Sequence, residues 1–125
     1  MAEQAPRLVF AEGLIGNYIS GEAVWTFRKY RPKSHEFTKG QIIEGYFKDG
    51  MMLLLEVLED TRLKPFRDIA KEEYEAWGAV SHEDMMRQMR NHYVGLTVDD
   101  TAALVHVRLA RIEGRPIAGL LPEGI

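Results

Sequence analysis

The residues best suited to bind an anion fall in one short segment of the sequence. Residues 28–39 contain five basic residues (Arg28, Lys29, Arg31, Lys33 and Lys39) and one acidic residue, Glu36. The segment therefore carries a formal charge of +4, whereas the whole chain carries −3. A local positive loop on an acidic protein suits a few phosphate groups, whereas a long duplex needs a broader basic face. A solvated loop without a ligand fits the same charge pattern.

Aromatic and polar side chains are interleaved with these charges. His35 and Tyr30 lie inside the basic segment, and stacking of a base on a tyrosine ring contributes about 1–3 kcal/mol with little sequence preference. Phe37 lies there as well and is expected in the core. We therefore predict that the segment contacts a nucleotide or single-stranded RNA through Lys29, Tyr30, Arg31, Lys33, His35 and Lys39.

The strand that leads into this segment carries two further candidates. Alternation over residues 24–28 directs Trp25 and Phe27 to the core and places Thr26 and Arg28 together on the other face. A guanidinium offers planar donors to phosphate or a base edge, and the Thr26 hydroxyl could orient a ligand. The alternatives are an ion pair of Arg28 with Glu44 or Glu56, and a threonine selected for its β-branching.

The sequence lacks the residue patterns of several other kinds of functional site. The chain has no cysteine, and its four histidines (His35, His82, His92 and His106) show no pair at metal-ligand spacing, so we expect no metal. No nucleophile elbow or phosphate-binding loop is present, and no cofactor is implied. The longest apolar run, residues 51–55, falls far short of a membrane span of about 20 residues. Because the first residues do not resemble a secretory signal, we expect a cytoplasmic protein.

The elements that must position these residues follow from hydrophobic periodicity and turn signals, and they indicate one domain over residues 1–112 followed by an irregular tail over 113–125. Asp49-Gly50 predicts a hairpin, and Ser81 with Asp84 predicts a helix start. The predicted order is a strand at 8–10, a helix at 14–19 ended by Gly21, a strand at 24–28, hairpin strands at 41–47 and 51–58, a helix from Pro65 to Trp77 ended by Gly78, a helix from Ser81 to about His92, and a strand at 103–112.

This order favours an α+β fold over a parallel wound sheet. Strands interrupted by paired helices are typical of a small mixed β-barrel of about five to six strands with helices packed on its side.

Residues 21–28, Gly-Glu-Ala-Val-Trp-Thr-Phe-Arg, resemble the signature of the ASCH family in the PUA-like superfamily, Gly-x-Lys-x-x-Thr-x-Arg. Gly21, Thr26 and Arg28 match it. Residues 35–43 are similar to the family's element in which a glycine, here Gly40, leads into the second barrel strand. Tyr93 matches a tyrosine that recurs in the family, and the resemblance covers about residues 12–112.

The resemblance implies a β-barrel with a cleft between barrel and helices, and an association with RNA or modified nucleosides. Some small bacterial members of the family remove the acetyl group from N4-acetylcytidine, with the signature lysine as nucleophile or base, helped by the threonine and by a glutamate. Here Ala23 stands at the lysine position, and the candidates to replace that lysine are Lys29 and Lys39. Trp77 falls near the glutamate position, and the candidates to replace that glutamate are Glu73 and Glu75.

We therefore expect an ASCH-type module that binds a nucleotide or single-stranded RNA through the basic loop and the cleft, with Tyr93 among the contacts. One alternative is an amidohydrolase acting on N4-acetylcytidine or a related nucleoside, in which Thr26 would be catalytic. A protein-interaction adaptor that docks an acidic partner is the other, and the oligomeric state stays open.

Overall fold

The structure is a computed structural model that describes residues 6–11, 13–32 and 34–116, with the backbone path alone for 111–116. Within these ranges no helix is long and apolar enough to cross a membrane. The elements in chain order are β1 (Arg7–Phe10), α1 (Ile15–Ile19), β2 (Val24–Lys29), β3 (Ile42–Phe47), β4 (Met51–Val57), β5 (Arg62–Pro65), a 3-10 turn (Phe66–Asp68), α2 (Lys71–Trp77), α3 (His82–Arg90) and β6 (Thr101–Pro116).

The six strands form one mixed sheet in the order β1-β3-β4-β6-β2, with β5 beside β6. Strands β1 and β3 are parallel, and all other pairs are antiparallel. The long strand β6 pairs with β2 along one edge and, along the other, first with β5 and then with β4. The two ends of this path, β1 and β2, are therefore edge strands.

Two apolar clusters lie on opposite faces of the sheet. Alternation along β6 assigns Val105 and Val107 to one cluster and Ala102 and Leu104 to the other. Helix α1 packs on the first cluster through Tyr18, and helix α3 contributes its buried face to the second through Met85, Met86 and Met89. The edge strand β2 thus has helices on both of its sides.

The local signals of the sequence are confirmed at several points. Gly50 has a φ of 97° and donates its N–H to the Phe47 carbonyl at 2.9 Å in the predicted hairpin turn. The Ser81 hydroxyl accepts the Asp84 N–H at 3.0 Å and caps α3. Gly78 ends α2 in the left-handed conformation, with a φ of 116°.

The segment around Pro65 differs from the prediction. Instead of opening a helix, Pro65 ends the strand β5, which pairs with the start of β6, and α2 begins only at Lys71. The Glu73 carboxylate accepts the Ala70 N–H at 2.8 Å and so fixes that later start. The prediction missed β5 because Pro65 also suits the first turn of a helix.

Three further expectations are modified. Among the described residues no pairing joins β1 to β2, so the sheet is open and the barrel is not confirmed. Strand β6 continues to Pro116, beyond the boundary predicted at residue 112, and residues 117–125 of the predicted tail lie outside the described residues. Trp25 is only half-buried; its ring stacks on His106, its partner in the β2–β6 register, and contacts the Arg62 guanidinium.

Candidate functional site

A cleft of about 520 Å³ lies at the free edge of β2. That volume is in the range of small-molecule sites, which span about 300–1,000 Å³. The cleft extends from β1 and α1 on one side to α2 and α3 on the other. Its lining residues are Val9, Phe10, Ala11, Leu14, Asn17, Tyr18, Val24, Trp25, Thr26, Phe27, Arg28, Lys48, Trp77, Gln88, Met89, His92 and Tyr93.

Arg28 is fixed within this cleft by three contacts. Its Nε donates to the Thr26 hydroxyl at 3.1 Å, its Nη1 donates to the Val9 carbonyl at 2.8 Å, and its Cζ lies 4.7 Å from the centre of the Phe10 ring. Thr26 is its neighbour on the same face of β2, whereas Val9 and Phe10 belong to β1. The guanidinium is thus held in one orientation before any ligand arrives.

Two tyrosines surround this group. Burial raises the pKa of Tyr18 to about 12, although the Arg28 charge and a hydrogen bond with Thr26 act in the opposite direction. Tyr18 is therefore a neutral phenol at physiological pH. Burial likewise lowers the pKa of Arg28, against the effects of Tyr93 and Tyr18, but an arginine with such a shift remains charged. The site combines the Arg28 cation with the neutral Tyr18 phenol.

The charge of the lining is positive. Lys48 follows β3, lines the cleft and donates its backbone N–H at 3.0 Å to the carbonyl of Phe10, the residue whose ring lies under Arg28. None of the lining side chains, all from the described part of the chain, is a carboxylate; Glu12 lies outside that part. The nearby Asp49 carboxylate accepts the Gly13 N–H at 3.1 Å and is not among the lining groups. Such a site favours an anionic ligand.

The predicted site residues separate into two groups. Thr26, Arg28 and Tyr93 are brought together in the cleft. Four others lie outside the lining: Lys29, Tyr30, Arg31 and Lys39. Lys29 pairs with Ala102 and faces the opposite side of β2 from Arg28. Lys33 lies outside the described residues.

His35 is buried beneath the basic segment. Its side chain is 7% exposed, and its Nδ1 accepts the Arg31 N–H at 3.1 Å. Burial, with the charges of Arg28 and Arg31, lowers the pKa of His35 to about 4. The ring is therefore neutral at physiological pH, and its burial suits a structural role better than contact with a phosphate. Phe37 is buried as expected, and the Tyr30 hydroxyl donates to Glu36 at 2.8 Å.

The alternative ion pairs of Arg28 are not formed. Glu56 accepts from Arg108 at 2.9 Å instead, and Glu44 accepts from the Tyr46 hydroxyl at 2.8 Å. Within residues 6–11, 13–32 and 34–110, no carboxylate makes a salt bridge with Arg28. No carboxylate in these ranges therefore neutralises the Arg28 charge, which is available to a ligand.

The residues considered for amide hydrolysis are arranged differently from the expectation. Glu73 is buried between Arg62 and Lys64, each 2.8 Å from its carboxylate, and is committed to holding α2 against β5. Glu75 is exposed, and Trp77 stacks on Phe27 with ring centres 5.0 Å apart. The lysine of the cleft is Lys48 rather than Lys29 or Lys39, and the cation that contacts the Thr26 hydroxyl is Arg28. Across the described residues no group of three potential metal ligands occurs.

Sequence reasoning missed part of the lining. His92 is named there only as a potential metal ligand, and neither Tyr18 nor Lys48 is among the predicted site residues. The signal available for Tyr18 was a tyrosine on an otherwise aliphatic helix face, where a buried hydroxyl needs a polar partner. For Lys48 and His92 the sequence holds no comparable signal.

Comparison with known proteins concerns the fold of the chain. Protein-family models gave no match, and curated proteins gave no significant match. The chain is similar to the crystal structure of protein EF3133 from Enterococcus faecalis V583, described as a DUF984 protein, with a TM-score of 0.64 and 12% sequence identity over 94% of this chain and 88% of that one. At this identity the similarity concerns the fold alone, and the fold it supports is a mixed α+β sheet with helices on its sides.

Proposed function

We propose that the protein is an ASCH-type module that binds a nucleotide or a short segment of single-stranded RNA in the cleft beside β2. The observation that carries this proposal is the fixed guanidinium of Arg28 in a cleft whose described lining contains no acid. Arginine presents a planar set of donors that matches a phosphate or a base edge.

The remaining lining is consistent with the rest of a nucleotide. Tyr93 and Trp77 provide ring surfaces, and Asn17 and Gln88 provide amides that can pair with a base or a ribose. A mixture of ring surfaces and a few polar groups around one fixed charge is the usual composition of a site for a small polar ligand.

Three residues of the signature and their positions in the fold support the proposed ASCH assignment. Gly21 has a φ of 84° at the turn before β2, a conformation that favours glycine, and Thr26 and Arg28 both face the cleft. The link from Arg28 to Val9 brings the two edge strands within reach of one side chain, which supports an architecture related to a barrel.

Tryptophan fluorescence tests the binding proposal, because Trp25 and Trp77 both line the cleft. The protein is titrated with nucleosides, nucleotides and short RNAs at low and high salt. We expect saturable binding that weakens with salt and falls about tenfold or more in Arg28→Met, since a lost charge-assisted hydrogen bond is worth roughly 1.5–3 kcal/mol.

Arg108→Met is the matched control. It removes the same charge from an exposed pair with Glu56 on the sheet, outside the cleft. Circular dichroism checks that both variants fold. Equal affinity of the two variants, or no response from any ligand at low salt, contradicts the proposal.

Amide hydrolysis on N4-acetylcytidine is the second candidate, because the cleft does contain a lysine, Lys48. In this reaction water adds across the amide, so that acetate leaves and cytidine is formed. Incubation with N4-acetylcytidine followed by chromatography decides the matter. Cytidine that forms with the wild type but not with Lys48→Met supports hydrolysis, and absence of product at high protein concentration contradicts it.

A further inference from the structure

The two cationic residues that line the cleft both contact Phe10. The Arg28 guanidinium lies over the Phe10 ring, and the Lys48 N–H is bonded to the Phe10 carbonyl. Both side chains therefore start within reach of Phe10, at the point where β1 ends. We call the part of the cleft formed by Phe10, Arg28 and Lys48 its cationic end. The ring surfaces of Trp77, His92 and Tyr93 come from α2 and the region after α3.

The donors at the cationic end are only partly used within the protein. Arg28 uses Nε and one N–H of Nη1 for Thr26 and Val9, and its Nη2 group has no acceptor among the described residues. The Tyr18 phenol beside it is neutral, and therefore a potential further donor. Several convergent donors without a carboxylate acceptor form the environment that a phosphate group requires.

The basic loop does not continue this cationic end. Lys29 at the end of β2 and Arg31 just beyond it are exposed and lie outside the lining. Lys39 is held near another loop, where its backbone N–H is bonded to Asp60 at 2.9 Å. A strand of RNA needs a positive groove that follows its backbone over several nucleotides. The described lining provides room and charge for one nucleotide and no such groove.

We infer that the cleft selects a single mononucleotide rather than a nucleic-acid strand, with the phosphate between Arg28 and Lys48 and the base toward Trp77 and Tyr93. This inference rests on the proposed function and narrows its ligand class. It assigns Lys48 a role in phosphate recognition that its position in the hairpin turn does not suggest.

The test compares three kinds of probe by calorimetry on the full chain: the four ribonucleosides, the same nucleosides as 5′-monophosphates, and mixed RNA of about eight nucleotides. We expect at least one monophosphate to bind about tenfold or more tightly than its nucleoside, and at least as tightly as the RNA. Its affinity should fall with salt far less steeply than that of a strand, because only a strand releases condensed counterions at each contacted phosphate.

Variants locate the phosphate. Lys48→Met should lower monophosphate affinity about tenfold, a larger loss than for any nucleoside, whereas Lys39→Met should change neither affinity; both lysines are exposed, so both variants should fold. RNA that binds more tightly than every monophosphate, and loses this advantage in Lys39→Met, overturns the inference but supports the proposed function. Equal binding of nucleosides and monophosphates also overturns it, and no binding by any probe overturns both.

Discussion

The Nη1 group of Arg28 donates to the carbonyl oxygen of Val9 at 2.8 Å. Arg28 belongs to β2 and Val9 to β1, the two strands at opposite ends of the sheet order, so one side chain connects the two free edges. The sheet therefore curls until its edges approach, and the cleft lies where they do. The residue proposed to bind the ligand also holds the site together.

Arg28→Met should for this reason destabilise the fold as well as weaken binding. The variant loses the bonds to Val9 and Thr26, and we expect the free energy of unfolding to fall by about 1–3 kcal/mol. Urea denaturation of the ligand-free protein measures this loss. Arg108→Met, which removes an exposed ion pair, should cost less than about 1 kcal/mol. Equal losses would show that the link between the strands is energetically unimportant.

His35 should make the protein sensitive to mild acid. Its pKa is lowered from 6.5 to about 4 in the fold, by burial first and then by Arg28 and Arg31, so the unfolded chain takes up the proton first as the pH falls. The native state should therefore lose stability from pH 6.5 down to pH 4, by about 3 kcal/mol in total, and this cost is absent at higher pH.

The measurement compares urea denaturation of the wild type and His35→Asn at several values between pH 7 and pH 4. The difference in the free energy of unfolding between the wild type and His35→Asn should narrow or reverse as the pH falls, because asparagine takes up no proton. A parallel loss in both proteins, or a His35 ring that titrates near 6.5 by NMR, contradicts the assignment.

The local part of the fold was accessible from sequence because short-range chemistry determines it. Asp49-Gly50 specified the hairpin, Ser81 specified the start of α3, and alternation on β2 correctly separated Phe27 from Thr26 and Arg28. In each case the residues that decide the structure are neighbours in the chain. The face shared by Thr26 and Arg28 is the main element of the site that followed directly from sequence.

The composition of the cleft depended on contacts between distant segments. Lys48 is a turn residue by local criteria, and it lines the cleft only because β1 is parallel to β3 and ends beside it. The basic cluster is contiguous in sequence, yet strand parity directs Lys29 away from Arg28, and burial removes His35 from the surface. Charge density along a sequence does not specify the side of a strand on which each charge lies.

Glu73 should be among the acids most important for stability. Burial alone would raise its pKa, but hydrogen bonds from Lys64, the Ala70 N–H and Arg62 hold the pKa below the ordinary 4.5. Glu73→Gln should lower the free energy of unfolding by about 1–3 kcal/mol at pH 7, because two cations lose their shared carboxylate. The exposed neighbour Glu72 provides the control: Glu72→Gln should cost no more than about 0.5 kcal/mol.

The pH dependence of this effect has a defined direction. The folded-state pKa of Glu73 is lowered, so its contribution is complete above 4.5 and is lost as the pH falls through the folded-state value. The stability difference between wild type and Glu73→Gln should therefore shrink below pH 4.5. A difference that stays constant down to pH 3 would mean that the ion pairs do not carry the effect.

Gly45 in β3 connects core packing to the site. A Cβ at this position would lie 3.0 Å from Leu55 Cδ1, 3.2 Å from Phe10 Cε2 and 3.3 Å from Phe47 Cε2. Gly45→Ala should cost about 1–3 kcal/mol through overpacking, even though alanine reduces the entropy of the unfolded chain. The Phe10 ring, which must shift, lies under the Arg28 guanidinium, so nucleotide affinity should fall together with stability.

Gly16→Ala is the matched control for this change. Gly16 lies in α1, a Cβ there would meet no atom within 4 Å, and alanine favours a helix by up to about 1 kcal/mol over glycine. The control should be as stable as the wild type or more so, with unchanged affinity. If Gly45→Ala were equally harmless in thermal denaturation and in nucleotide titration, Phe10 would be free to move without disturbing Arg28, and the rigid support proposed for the guanidinium would not exist.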